Sequence, residues 1–317
     1  MRSSVQWSKQ NISGENIAPA VTVGPYFKEM KEKTSYWNGK GADYKWSNPL
    51  NWVAEKIPTS ADCVIFDGSC VKNVLVDINT EIKSLIITSD YTGCLSGWND
   101  LTVLENVLIQ GGIIEVCLLT GGDITIEKGI VNTCFSTQGN LTIAGGNISW
   151  ISGEVAGNTL VTGGLLNFSN HYNRYYSFKG DVIIAGGKIE GNPLFRFQGN
   201  KPQVFQTSLE EIKVLDLYNY SQLNLQTNMT VEGWFFNAGT IKVSPAANLN
   251  LEDVKFFSNT GTLIAEGNIT GHLKGKLVRR KNLEELSNIE IPAKEQLFAI
   301  KNLDSAQSTE KSLATIS

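Results

Sequence analysis

Short apolar–polar–apolar triplets recur through the middle of the chain, at Leu101-Thr102-Val103, Ile124-Thr125-Ile126 and Leu141-Thr142-Ile143. Alternation of this kind marks a short strand with one side buried. Each triplet follows an Asn or Asp, and the same register returns at Asp100, Asp123, Asn140, Asp181, Asn228, Asn248 and Asn268. An Asx side chain bonds nearby backbone N–H groups and tolerates a left-handed turn. Gly-Gly pairs beginning at Gly111, Gly121, Gly145, Gly163 and Gly186 stand between such strands, with no helical stretch in the intervals.

The strand starts Leu101, Ile124, Leu141, Leu160 and Val182 are separated by 23, 17, 19 and 22 residues. Periods of this size mark solenoid repeats. An antiparallel sandwich would instead show turn signals every 8–12 residues or about that, without a persistent register. The pattern therefore predicts an all-β chain, a parallel β-solenoid (β-helix) over residues 61–275. Ile124, Ile126, Leu141, Ile143, Val182 and Ile184 should face its interior, because alternate strand residues share a face. Cys94, Cys117 and Cys134 each lie seven residues before one of these strand starts. That spacing predicts a column of small, soft side chains stacked inside.

The flanks lose the period. Residues 36–60 hold Tyr36, Trp37, Tyr44, Trp46 and Trp52 and are expected to cap the solenoid entrance, since terminal repeats are atypical. Residues 276–303 form a more charged C-terminal cap segment with a short helix expected around Asn282–Leu286, and 304–317 a polar tail. Residues 1–35 read as an arm. Its scattered apolar residues Val5, Trp7, Ile12, Ile17, Tyr26 and Phe27 are too many for a free linker and too irregular for a helix. Such a segment gains order in a partner's groove or on a sheet edge. The arm is thus the expected attachment to other structural proteins of one assembly, and a homo-oligomer is allowed.

Composition narrows the partners. A net charge of −4 supplies no field to hold a polyanion, so no nucleic-acid partner is expected. The basic cluster Lys274, Lys276, Arg279, Arg280 and Lys281 reads as a solvated end with Glu284 and Glu285 beside it. No stretch approaches the ~20 apolar residues of a membrane helix, and the first residues show no apolar signal-peptide core. The five cysteines contain no C-x-x-C zinc spacing.

The segment Trp46-Ser47-Asn48-Pro49-Leu50-Asn51-Trp52, with Pro58 and Asp62-Cys63-Val64-Ile65-Phe66-Asp67-Gly68, resembles the opening unit of secreted bacterial β-solenoid surface proteins. These carry autotransporter-type and adhesin-like repeats, and such units also occur in phage fibres and virion proteins. Lys83–Ile87 with Tyr91-Thr92-Gly93, Gly139–Gly146, and Phe197-Gln198-Gly199 through Val204-Phe205 are similar to those repeats too. The resemblance implies a virion or cell-surface location and a structural or adhesive task.

Chemistry is sparse in the sequence. Glycoside hydrolysis needs two carboxyls about 5–10 Å apart, and no Asp-Asp pair occurs. Asp100, Asp123 and Asp181 share a register with four asparagines, which a turn role explains and a catalytic one does not. His171 and His272 lie far apart in sequence, so no histidine-based triad or metal site is expected, nor any cofactor. The one segment with binding character runs from His171 through Tyr172, Arg174, Tyr175 and Tyr176, with Phe195 and Arg196 expected on the neighbouring coil. Aromatic faces with a few polar groups suit a sugar or peptide, and host glycan is a candidate partner; the alternative has Tyr175 and Phe178 turned inward to fill a wider coil. The expected function is a non-enzymatic fibre or decoration component of a virion or similar extracellular assembly. A cell-surface adhesin is the alternative, and a glycan-processing enzyme of the tailspike kind the third reading.

Overall fold

A computed structural model describes residues 33–168 and 175–271, together with the backbone of the strand Lys276–Arg279. The chain divides into two compact units, Met1–Val278 and Arg279–Ser317; beyond Arg279 the second lies outside the described residues. So do the arm residues Val5, Trp7, Ile12, Ile17, Tyr26 and Phe27, the basic residues Lys274, Arg280 and Lys281, and both histidines.

The described part is a parallel β-solenoid whose coils visit three faces in turn. One face is a 13-stranded sheet, the next is made of a seven-stranded and a four-stranded sheet, and the third is a ten-stranded sheet. Every described strand pairing within these sheets is parallel, as in Ile124↔Leu141 and Leu118↔Phe135. Stacking begins before residue 61: Lys33–Tyr36 pairs with Asp62–Phe66. It also passes residue 275, because Lys276–Arg279 is the last strand of the 13-stranded face.

Ile124, Ile126, Leu141, Ile143, Val182 and Ile184 are all buried, as alternation requires. Strands of three residues suffice because each inward side chain packs on its equivalents one coil above and below. Two devices hold the corners. Between the 13-stranded face and the next, the second glycine of a pair turns with positive φ, as at Gly146 (φ 89°), where an added Cβ would lie 2.8 Å from the carbonyl oxygen of Gly129. No L-residue enters that space without strain.

The second device is an Asx ladder. The Oδ1 of Asn106 accepts the N–H of Asp123, Asp123 that of Asn140, Asn140 that of Asn158, Asn158 that of Asp181, and Asp181 that of Val204. The steps are 17, 17, 18, 23 and 23 residues. The coil steps therefore lengthen after Asn158, and Phe168, Tyr176, Phe178, Phe195 and Phe197 are buried within the longer coils.

The structure corrects four details of the sequence register. Leu101 pairs with Leu118 on the ten-stranded face, not with Ile124. Leu141 pairs with Thr159, so Thr159 points inward and Leu160 outward; a slip of one residue exchanges the faces of a strand. The seven Asx positions divide among three columns: Asp100 follows Asn79, three belong to the ladder above, and Asn228, Asn248 and Asn268 occupy the four-stranded sheet. The cysteines do not form one interior stack either. Cys117 and Cys134 continue the Asp100 column, are disulfide-bonded with Cα atoms 5.0 Å apart, and are only half-buried. Cys94 lies on another face opposite Ile113, where burial, with the Glu115 carboxylate beside it, pushes its thiol up to about 11.

At the entrance Trp37, Trp46 and Trp52 are fully buried and close over Phe66, with Trp37–Trp52 and Trp46–Trp52 ring centroids 5.1 and 4.7 Å apart. The indole N–H of Trp52 donates to the Trp46 carbonyl at 2.9 Å. Asn48 caps the 3-10 turn Pro49–Asn51, and the buried Asn51 accepts from Gly41 N–H while donating to Asp43 and the Lys45 carbonyl. Hydrogen bonds from Asn48 and the Lys45 N–H hold the Asp43 carboxyl below its usual range.

Candidate functional site

Alternation should place aromatic residues inside a solenoid and amides outside. On the ten-stranded face the strands Asp216–Asn219, Trp234–Asn237 and Phe256–Asn259 depart from this in part: Leu217 and Phe235 are buried as expected, but amides share the inner side and several rings face out. Asn219 and Asn237 are fully buried, while Tyr220, Trp234 and Phe256 are 49%, 50% and 47% exposed. The amides are satisfied by stacking: Asn219 Nδ2 donates to Asn237 Oδ1 and Asn237 Nδ2 to Asn259 Oδ1, both at 2.8 Å. That ladder makes the polar interior tolerable but does nothing to explain why the rings face water. Exposed aromatic surface in a cluster marks an interaction site.

Register builds the cluster. Arg196 lies opposite Tyr218, and Tyr218 opposite Phe236; Trp234 lies opposite Phe256, with ring centroids 4.7 Å apart and planes tilted by 33°. Tyr218 and Tyr220 both approach Phe236, at 6.1 and 5.3 Å between centroids. The Arg196 guanidinium carbon sits 4.0 Å above the Tyr175 ring, which meets Tyr218 edge-on at 5.1 Å. A guanidinium at this distance is held by the ring quadrupole, and its Nε makes no hydrogen bond.

Two titratable groups respond to this packing. Burial, then the hydrogen bond with Tyr175 and the nearby Asp216, push the Tyr218 hydroxyl well above its ordinary value. Burial also raises the Asp216 carboxyl, against the opposing pull of the Trp234 N–H, which donates to it at 2.8 Å, and of Lys255. Toward the entrance, the strip meets Glu154, which pairs with Lys179 at 2.5 Å and accepts from Gln198 Nε2 at 2.7 Å.

Of the residues singled out in the sequence, Tyr175 and Arg196 belong to this outer strip. Tyr176 and Phe195 do not: both are about 1% exposed. Tyr176 packs on Trp150 and Phe168 and donates its hydroxyl to the Trp150 carbonyl at 2.7 Å; Phe195 packs on Phe178 and Phe205. Their strand positions alternate with those of the outward pair. The inward alternative holds for Phe178 but not for Tyr175, and Tyr176, expected in the binding segment, is turned inward instead. His171, Tyr172 and Arg174 lie outside the described residues.

Tyr218, Tyr220, Trp234, Phe236 and Phe256 escaped the sequence reading. The signal available was period two, Asp216-Leu217-Tyr218-Asn219-Tyr220 and Trp234-Phe235-Phe236-Asn237. Period two alone does not say which set faces out, and the coil steps of 18 and 22 residues that align the sets are unequal.

Elsewhere the surface offers less. A shallow recess is lined by Leu209, Glu210, Glu211, Asn228 and Asn248, and Trp98 is fully exposed. Among the described residues, His, Cys, Asp and Glu side chains do not gather in threes, and no helix is long and apolar enough to cross a membrane. Comparison with protein-family models, curated proteins and solved structures finds no match.

Proposed function

We propose that the chain is a non-enzymatic structural solenoid, a fibre or decoration component of a virion or another extracellular assembly. The observation that carries this reading is the coil-to-coil bonding of repeated side chains, above all the five-link Asx ladder from Asn106 to Val204. Polar side chains there brace one coil on the next, which suits a stiff spacer. The Cys117–Cys134 disulfide supports an oxidising setting, where such bonds persist. The outward aromatic strip favours a second reading, a bacterial cell-surface adhesin, because it offers a lateral surface for attachment.

Attachment to the parent assembly is assigned to the N-terminal arm. The pairing of Lys33–Tyr36 with Asp62–Phe66 sets where it can be cut: removal of residues 1–32 leaves the first strand in place. The shortened protein should melt as the full chain does, yet be missing from purified particles or surface fractions examined by mass spectrometry. Normal incorporation would overturn the arm's role, and recovery of the full chain only in cytosolic fractions would overturn the extracellular assignment.

A further inference from the structure

The aromatic strip carries a more specific reading, which deepens the attachment proposal and rests on it. We propose that the outer face around Arg196, Tyr218, Trp234, Phe236 and Phe256 is a platform for a polysaccharide chain, bound by stacking of sugar rings on the exposed aromatic faces. Three observations point to this occupant.

First, the strip runs across neighbouring strands of one sheet. These strands are parallel and spaced ~4.8 Å apart. A linear chain of rings fits such a track. Second, polar groups stand beside the rings. Arg196 lies in the same column as Tyr218 and Phe236, and the Glu154–Lys179–Gln198 group lies beside it. A sugar presents a C–H face to the negative face of an aromatic ring and hydroxyls at its rim, so both are served at once. Binding sites generally pair aromatic area with a few placed polar groups in this way.

Third, the area is small. Tyr220, Trp234 and Phe256 are each about half exposed, and rings of ~150–250 Å² apiece then present roughly 300 Å². Tyr218 and Phe236, both half-buried, add a lesser share. A stable protein interface needs ~800 Å² on each partner. The strip is therefore too small to make a stable homodimer interface by itself but sufficient for a few stacked sugars.

The test is affinity electrophoresis of the full chain in native gels containing dextran, galactomannan, polygalacturonate or bacterial capsular polysaccharide. At least one of these should retard the wild type. The double variant Trp234→Ala/Phe256→Ala should bind about tenfold more weakly or worse, the loss typical of two stacked anchors, with unchanged melting. Trp234→Phe should retain binding. In a Trp98→Phe background, which removes the other exposed indole among the described residues, the same polysaccharide should shift the emission, and the shift should vanish when Trp234→Phe is added.

Retardation by none of the polysaccharides would overturn the proposal, as would retardation that survives in the double variant. Wild-type dimers that the double variant dissociates, without retardation, would also overturn it and give the face to a second copy of the chain. Loss of attachment in the double variant without any glycan binding would overturn the glycan platform while leaving the structural-component reading intact. Glycan binding by a protein absent from particles and surfaces would do the reverse.

Discussion

Two aromatic clusters, at the entrance and on the ten-stranded face, use similar residues for opposite ends. Trp37, Trp46 and Trp52 are at most 1% exposed, whereas Trp234, Phe256 and Tyr220 are about half exposed. The entrance cluster covers Phe66 and the inside of the first coil, so its removal opens the core. The side cluster lies over strands whose inner positions are already filled, in part by the Asn219–Asn237–Asn259 ladder. Its rings can be lost without opening anything. Aromatic side chains at an open end thus serve stability, and those on a closed wall are free to serve recognition.

The largest expected effect separates these roles directly. Trp52→Ala should cost about 3–5 kcal/mol, as for other buried aromatic truncations, and lower the denaturant midpoint accordingly. Trp234→Ala should stay within about 0.5 kcal/mol, as for surface substitutions. Equal losses from the two variants would erase the distinction between the clusters.

A middle-sized effect probes what lies under the strip. Asn237→Ala removes the link between Asn219 and Asn259 and leaves Asn219 Nδ2 without one of its acceptors. Asn219 Nδ2 keeps the Ser221 and Thr240 carbonyls, so the expected loss is about 1–3 kcal/mol for two removed buried hydrogen bonds, read from chemical denaturation at constant m-value. A neutral result would mean that the inner ladder contributes no stability to the wall beneath the rings.

The smallest effect is in pH dependence, where the two regions have opposite signs. Near the entrance, burial alone would raise the Asp62 carboxyl, but hydrogen bonds from Thr59 and the Lys33 ammonium hold it below its usual range. Its contribution is present above the ordinary carboxylate pKa of about 3.9 and is lost as pH falls through the depressed value. Asp216, beneath the strip, is raised. Its contribution is complete below about 3.9 and is lost as pH climbs through the raised value. Asp216→Asn keeps the acceptor for the Trp234 N–H and should flatten the stability curve above that point. Asp62→Asn should flatten it below. Unfolding midpoints measured from pH 2 to 7 check both, and a change of the same sign in the two variants would refute the assignment.

Much of the fold was legible in the sequence because a solenoid repeats the same local demand. Gly-Gly corners, Asx residues before strands and triplet alternation each mark a coil, and together they specified a parallel stack with the right interior residues. The departures arose where that demand is met in more than one way. Gly121-Gly122 lies on the corner entering the 13-stranded face, whereas Gly145-Gly146 lies on the corner leaving it. Asp100 and Asp123 make the same Asx bond in different columns. Identical sequence signals on different corners read as one register until the strands are paired.

The chain's own pattern determined the class of fold, the existence of the coils and the inward face of most strands, because burial with period two is a local property. Only the tertiary structure decided which coil position stacks on which, and every surface feature of interest depends on that. The disulfide needs Cys117 and Cys134 one coil apart in one column. The aromatic strip needs Arg196, Tyr218 and Phe236 aligned across coils of unequal length, with asparagines sharing the inner positions with Leu217 and Phe235. Register between coils is set by the fit of whole turns, and unequal turns carry no fixed spacing that a single sequence displays.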